Sequence, residues 1–392
     1  MAGRQRGHLF ISKNMKKQQT VKRAIRSLGH YIYLKEKEAS SRYLDAKRPE
    51  GKVALWGETH RSAALPKVAF LCDEMTWQDY KDCCNSIFLH PAIWREQLER
   101  FQPEIFFCEA AWSGIQIFEG VWRGRVYKDS RVLFENRKIL LESLKYCKEN
   151  GIWTVFWGKE DPTFFQHTVY DFTQTALLFD IICTTAQECV SRYQKLGHHH
   201  VCVLPFGVDT MRFNSNEYAP QPGTVVFAGS WFSDQYQRCS DLEMMLDYAL
   251  KQGWHLDIYD RKWDIKEKKF RFPQKYQPYL KPAVPYELTP ELFHRYEYAI
   301  NVNTVVYSAT MCSRRLWQVA SCGNAVLCNE SAVLNTLSDC LDVWHLEQQG
   351  VVLVRGETEK IARNYSTSVL FQKILNEVEA EKGSAHRVAS MV

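Results

Sequence analysis

The sequence predicts an α/β protein built from two doubly wound domains, and three observations carry that reading. Five apolar runs, Lys67–Cys72, Ile105–Cys108, Trp153–Trp157, Phe179–Cys183 and Val201–Leu204, alternate with stretches of helical periodicity. Continuous apolar runs separated by helices are the pattern of a parallel sheet covered on both faces. Pro and Gly then cluster between Pro205 and Gly223, which interrupts the alternation as a linker does. The same alternation restarts at Thr224–Ala228 and continues through His255–Tyr259, Ala299–Val302 and Ala325–Cys328. The expected arrangement is two such halves facing one another across a cleft.

These breaks divide the chain into a basic, partly ordered N-terminal arm (1–65), a first α/β domain (66–205), a linker (206–223), a second α/β domain (224–356) and a C-terminal helix and tail (357–392). Within them the periodicity predicts helices over Pro91–Phe101, Ser130–Asn150, Pro285–Tyr298 and Glu357–Glu379, and a last edge strand at Val351–Val354.

A chain of 392 residues with 45% hydrophobic and 24% charged residues has the material for two cores and reads as soluble and globular. We expect no membrane span and no secretory leader, since the apolar runs are short and the N-terminus has no apolar leader core. Thirteen Cys are scattered through apolar segments without C-x-x-C pairs, which predicts buried free thiols in a reducing cytosol. Residues 1–52 hold 14 Lys/Arg against 4 Asp/Glu, a local +10 in a chain of net +5, so the remainder carries −5. Such an arm suits anionic lipid at the inner membrane face, a polyanionic substrate or nucleic acid, or it is a solvated extension. The acidic remainder and the lack of a nucleic-acid module argue against nucleic acid.

The densest chemistry lies between Ala299 and Cys328. An apolar strand runs into a Ser/Thr-rich loop, a helix opens on two arginines, and a second strand follows. A helix start offers unpaired N–H groups and partial positive charge. Ser308, Thr310 and Ser313 are able to cap it or donate hydroxyls, while Arg314 and Arg315 bring full charges and forked donors. In an α/β crossover the ligand crevice lies at the C-terminal strand ends, and a diphosphate is the best chemical match. Gln318, four residues after Arg314, is expected beside it on the helix's outer face, in reach of a ribose diol. Gly229 and Ser230 form a second strand-to-helix turn in which glycine lets the backbone approach a phosphate. The competing reading pairs both arginines with surface carboxylates.

In the first domain, acidic residues follow three strands: Asp73-Glu74, Glu109 and Glu160-Asp161. A carboxylate there is placed to take a proton from an acceptor hydroxyl, and Asp73 and Glu109 are the first candidates; helix caps or salt bridges to Lys159 or Arg123 are the structural alternative. Trp112, Trp122 and Trp157 lie near them as sugar-binding faces or as core. His198, His199 and His200 are consecutive and fail metal-ligand spacing, so no metal site is expected. Walker, G-x-S-x-G and G-x-G-x-x-G patterns are absent from the sequence.

Seven segments in order, KVAFLCDEMTW (67–77), IFFCEAAWSG (105–114), TVFWGKEDPTFF (154–165), FDIICTTAQECVSRYQKLGH (179–198), LPFGVDTMRF (204–213), VVFAGSW (225–231) and INVNTVVYSATMCSRRLWQVASCGNAVL (300–327), resemble a known family. It is that of the GT-B glycosyltransferases of spore-maturation, teichoic-acid and surface-polysaccharide type. The resemblance implies two Rossmann-like domains, with the acceptor site in the first and the nucleotide-sugar donor site in the second. Carried over by position, Gly229, Asn303, Thr310, Ser313, Arg314, Arg315 and Gln318 line the donor site. The nucleotide-sugar is a substrate and no cofactor is implied; the acceptor is a polysaccharide or teichoic-acid-like precursor. Gln318 stands where the family carries Glu, and Thr310 where many retaining members do. The first departure favours an alternative, a non-catalytic protein that binds a nucleotide-sugar or glycan.

Overall fold

The computed structural model describes residues 19–37, 58–59, 61–115 and 120–389. Of the expected N-terminal arm, residues 1–18, 38–57 and 60 lie outside this set, and 19–37 form a helix. Two compact units emerge. The first gathers residues up to 77, then 84–183 and 198–200; the second gathers 78–83, 184–197 and the chain from 201 onward.

Fifteen strands are formed among the described residues. The first sheet contains β1 (Lys67–Leu71), β2 (Asn85–Phe88), β3 (Ile105–Glu109), β5 (Trp153–Gly158), β7 (Ile181–Thr184) and β8 (Val201–Val203), while β4 (Lys128–Asp129) and β6 (Tyr170–Asp171) make a small antiparallel pair. Its order is β2-β1-β3-β5-β7-β8, and β1 pairs in parallel with both β2 and β3. The chain thus winds outward from β1 in one direction and then restarts at β3 in the other. With right-handed crossovers this puts helices on both faces and leaves a switch point between the C-terminal ends of β1 and β3. Val68, Ala69, Phe70, Leu71, Phe106 and Phe107 are buried, which is why these strands read as unbroken apolar runs.

The second sheet contains β9 (Gln221–Gly229), β10 (His255–Asp260), β11 (Leu280–Lys281), β12 (Tyr296–Asn301), β13 (Ala325–Asn329), β14 (Leu341–His345) and β15 (Val351–Gly356) in the order β11-β10-β9-β12-β13-β15-β14. Strands β11, β10, β9, β12 and β13 run parallel, and β15 and β14 close the edge antiparallel. Here the winding reverses between β9 and β12. Val225, Phe227, Leu256, Ile258 and Ile300 of the sheet form one buried cluster with Leu242, Met245 and Leu246 of the helix Tyr236–Lys251.

Several expected boundaries move. The helix expected over Ser130–Asn150 forms only at Lys138–Glu149. The one expected over Pro285–Tyr298 is a short 3-10 turn and a five-residue helix, Thr289–Phe293, because β12 already begins at Tyr296. Strand β9 begins at Gln221, inside the expected linker. The C-terminal helix is two, Thr358–Tyr365 and Thr367–Ala389, separated at Ser366, which bridges to Val208. All thirteen cysteines are free, and all but Cys83 and Cys202 are buried. Among the described residues no helix is long and apolar enough to cross a membrane.

Candidate functional site

In the second unit, arginines gather at the switch point. Strand β9 ends at Gly229, and the helix that follows begins at Tyr236 and carries Arg238 in its first turn. Arg261 comes directly after β10, which pairs with β9 up to Asp260 opposite Gly229. Arg315 is the second residue of the helix Arg314–Ser321, reached from β12. A β-carbon built on Gly229 would lie 2.8 Å from Arg315 Nη2 and 2.5 Å from Phe227 Cζ, so the glycine is what admits the guanidinium there. Arg315 lies over the Phe227 ring at 4.8 Å. Arg238 donates to the Ser230 carbonyl at 3.1 Å and lies over Phe232 at 5.3 Å. Among the described residues neither Arg238 nor Arg315 has a carboxylate partner.

The electrostatics follow from that crowding. Burial, then the charges of Arg261 and Arg238, push Arg315 down to about 9. Burial pushes Arg238 down to about 10, with Arg261 adding to the effect. Both remain cations at neutral pH, held at a cost that an anion would relieve. Ser230 is buried beside them, and its Oγ has no hydrogen-bond partner among the described residues.

Most of the remaining residues expected at a donor site bond within the fold. Arg314 Nη1 donates to Asp79 Oδ2 at 2.6 Å, both side chains buried, and its guanidinium lies over Phe206. Asp79 also accepts from the Tyr286 hydroxyl at 2.6 Å, and Gln318 Nε2 donates to that same hydroxyl at 2.7 Å. The expectation that Arg314 and Gln318 share an outer face is therefore corrected. They do share a face, as i and i+4 must, but it is buried against Asp79 and Tyr286. Asn303 is also internal: its Oδ1 accepts from the Ser313 N–H at 2.8 Å and its Nδ2 donates to Ser331 at 2.9 Å. Asn303 thereby fixes where the helix starts. Ser313 occupies the N-cap position without a side-chain cap bond. Thr310 Oγ1 donates to the Thr185 carbonyl at 2.8 Å and accepts from the Gln187 N–H at 2.9 Å, which fastens the loop. Ser308 donates to Glu188 at 2.9 Å.

In the first unit, Asp73 and Glu109 do meet at the switch point, as their places just past β1 and at the end of β3 require. Lys159, following β5, donates to Asp73 at 2.8 Å and to Glu109 at 2.9 Å. Asp73 further accepts the N–H groups of Trp112, Ser113 and Gly114 at 2.8–2.9 Å. Glu109 Oε1 accepts the Asp73 N–H, and Glu109 Oε2 is buried without a partner among the described residues. Burial would raise the Asp73 carboxyl, but Lys159 and these amides outweigh it and hold it below the usual range. The same two carboxylates hold Lys159 above its ordinary value against burial. Asp73 is thus a saturated anion that ties the 112–114 turn to Lys159.

Glu160 differs. It is half-buried and accepts from the Trp112 indole at 2.9 Å through Oε1 alone. Burial, with the Asp73 and Glu109 charges adding to it, raises its carboxyl above the ordinary value despite Lys159. Trp112 is ringed by Phe164, Phe172, Tyr170 and Tyr127 with centroids 4.9–5.6 Å away. Its indole is therefore fixed by packing. Trp122 and Trp157 are core. His198 bonds to the Phe179 carbonyl at 2.8 Å, and among the described residues no cluster of His, Cys, Asp or Glu suits a metal.

No protein-family model matches the sequence, and no curated protein matches it. Several solved structures are similar in fold. An alpha-glucosyltransferase in complex with UDP-glucose and DNA containing an abasic site has a TM-score of 0.46 and 10% identity, covering 80% of this chain and 93% of that one. A glycosyltransferase from Rickettsia africae ESF-5 has a TM-score of 0.44 and 8% identity over 80% and 97%. Anabaena Alr3699/HepE in complex with UDP-glucose has a TM-score of 0.40 and 13% identity over 83% and 100%.

Sequence reasoning missed Arg238, Arg261, Asp79 and Tyr286. Arg261 had a signal: it directly follows an apolar strand, the position that singled out the carboxylates of the first domain. Arg238 had a weaker one, in the first turn of the helix after Gly229. Asp79 had none, because its partner Arg314 stands 235 residues away.

Proposed function

We propose that the second unit binds the diphosphate of a nucleotide-sugar and that the protein is a glycosyltransferase acting on a hydroxyl acceptor. The observation that carries this reading is Arg315, a guanidinium without an anionic partner among the described residues, crowded by Arg238 and Arg261 at the β9–β12 switch point. An anion with two negative phosphates, accepting also from Ser230 Oγ, is the ligand that such a cluster fits. As the sugar–phosphate bond breaks, the same guanidinium groups stabilise charge on the leaving diphosphate. The acceptor oxygen attacks the anomeric carbon as the bond to the diphosphate breaks, and in an inverting transfer a carboxylate takes its proton. Glu160 suits that role better than Asp73, whose oxygens are all engaged, or Glu109, which is buried.

The finer assignment rests on the sequence segments that resemble surface-polysaccharide and teichoic-acid glycosyltransferases. From them we propose a hexosyl donor, a cell-surface polymer precursor as acceptor and a cytoplasmic location. Thirteen free thiols support a reducing compartment. The reading needs no cofactor besides the donor. A second reading, a binding protein without turnover, is favoured by the engagement of Asp73 and by Gln318, which bonds Tyr286.

The test is calorimetric titration with UDP, GDP, ADP and inorganic pyrophosphate, followed by donor turnover with UDP-glucose and other nucleotide-sugars. Binding that Arg315→Met weakens is the expected result. Unaltered affinity in that variant removes the donor assignment. Binding without release of nucleoside diphosphate across a panel of glycan acceptors selects the second reading.

A further inference from the structure

The helix over residues 19–37 presents two different faces. One holds it to the first unit. Ser27 Oγ accepts the Leu133 N–H at 2.9 Å, Arg125 donates to the Leu34 carbonyl at 2.9 Å, and Arg23 donates to the Val132 carbonyl at 3.3 Å. His30 stacks on Phe134 at 5.9 Å and sits so close to Gly124 that a β-carbon there would lie 2.5 Å from its ring. Gly124 also has φ +70°, so both space and backbone call for glycine. Ser27 and Leu34 are buried on this side.

The opposite face is apolar and, among the described residues, uncovered. Val21, Ile25, Leu28 and Ile32 recur at i, i+4, i+7 and i+11, which puts them on one stripe. They are 50%, 66%, 60% and 54% exposed. Four aliphatic side chains in line at that exposure differ from the scattered apolar residues of an ordinary surface. Lys22, Arg23, Arg26 and Lys35 are exposed along the same helix, whose only acidic residue is Glu36.

We propose that this stripe is a docking surface for an anionic lipid bilayer, with the helix lying in the interfacial plane while its other face stays bound to the first unit. The charge selects an anionic partner, and the aliphatic stripe selects one with an apolar interior. A nucleic acid would use the basic residues but gain nothing from burying Ile25 and Leu28. Sequence charge alone left lipid, polyanion and solvent open; the exposed stripe discriminates between them. The proposal does not depend on the donor site.

The full chain is sedimented with phosphatidylcholine vesicles and with vesicles also containing phosphatidylglycerol. We expect binding to the second kind only. Ile25→Ser combined with Leu28→Ser weakens it by roughly tenfold or more, and Lys22→Glu combined with Arg26→Glu does the same, each with an unchanged circular dichroism spectrum. Absence of vesicle binding overturns the proposal. Binding undiminished by the serine pair overturns it too, since mere electrostatic adsorption would remain. A concentration-dependent dimer that the serine pair dissolves, without vesicle binding, assigns the stripe to a second copy. Oligonucleotide binding lost in the glutamate pair, again without vesicle binding, assigns the helix to nucleic acid.

Discussion

The Arg314 guanidinium donates to the Asp79 carboxylate at 2.6 Å in a buried pair, whereas the next residue, Arg315, has no carboxylate among the described residues and is crowded by two further arginines. A single step along the helix thus separates a charge that the fold neutralises from a charge that it leaves open. The two positions answer mutation in opposite ways.

Arg314→Met leaves Asp79, in a site where burial already raises its carboxyl, with Arg212 at 3.7 Å and the Tyr286 hydroxyl in place of its closest cation, and we expect a loss of about 3 kcal/mol in urea denaturation. Arg315→Met keeps a side chain over Phe227 but removes the most crowded charge. We expect the free protein to gain stability, by about 1 kcal/mol, and nucleoside diphosphate affinity to fall by about 2–5 kcal/mol. Unfolding curves with and without UDP check both. A destabilised Arg315→Met whose UDP affinity is intact would show that the arginine serves packing alone.

Gly229→Ala should separate the glycine from its surroundings. The added methyl meets Phe227 Cζ at 2.5 Å and Arg315 Nη2 at 2.8 Å. The phenyl ring belongs to a packed cluster and yields poorly, so Arg315 moves. We expect a stability loss of about 1–3 kcal/mol together with weaker UDP binding. In Arg315→Met the same glycine substitution should cost less affinity, because the group it displaces is gone; the double-mutant cycle measures that coupling.

Asp73 gives the acid side of the stability profile. Its folded carboxyl is held below 3.8, so the folded state binds fewer protons than the unfolded chain as pH falls toward that value. Its stabilisation is complete above the unfolded value and is lost as pH drops through the folded one. Asp73→Asn replaces an acceptor of three N–H groups and an ammonium by an amide that presents its own donors to them. We expect a loss of about 2–4 kcal/mol at pH 7 and a difference that shrinks as pH is lowered below 3.8, read by denaturation across that range.

The fold was readable because buried parallel strands are continuous apolar runs: β1, β3, β5 and β13 fall within a residue or two of their expected places. Strand β2 was not, since Asn85 and Ser86 look like loop residues; the Asn85 carboxamide is satisfied by Arg61, Ser62 and Leu65, and Ser86 by Thr59. At the site, sequence located the right turns and placed Arg315 and Ser230 among its candidates, but it did not separate them from the polar neighbours that bond within the fold. Arg314 and Arg315 are equivalent as letters, and only helix phase relative to Asp79 tells them apart. Asn303, Thr310 and Gln318 drew notice as polar residues near a helix start, yet each bonds its own fold, and which polar groups remain unsatisfied is a tertiary property.

Glu160 carries the prediction most directly tied to catalysis. Its carboxyl is raised above 4.5, burial being the main cause and Asp73 and Glu109 adding repulsion. In its proposed role as base it is protonated, and idle, at a pH where an ordinary glutamate has already ionised. The acid limb of kcat/KM for a nucleotide-sugar should therefore turn above 4.5. Stability runs the other way: the folded state holds this proton longer than the unfolded chain, so Glu160 lowers stability progressively as pH rises from the unfolded value through the folded one. Glu160→Gln keeps an oxygen for the Trp112 indole and cannot ionise. It should lower kcat by roughly 10²–10⁴-fold, leave UDP affinity unchanged, and make the protein relatively more stable at pH 8 than at pH 4 against the wild type. A variant with full turnover and an unmoved acid limb would return the search for the base to Glu109.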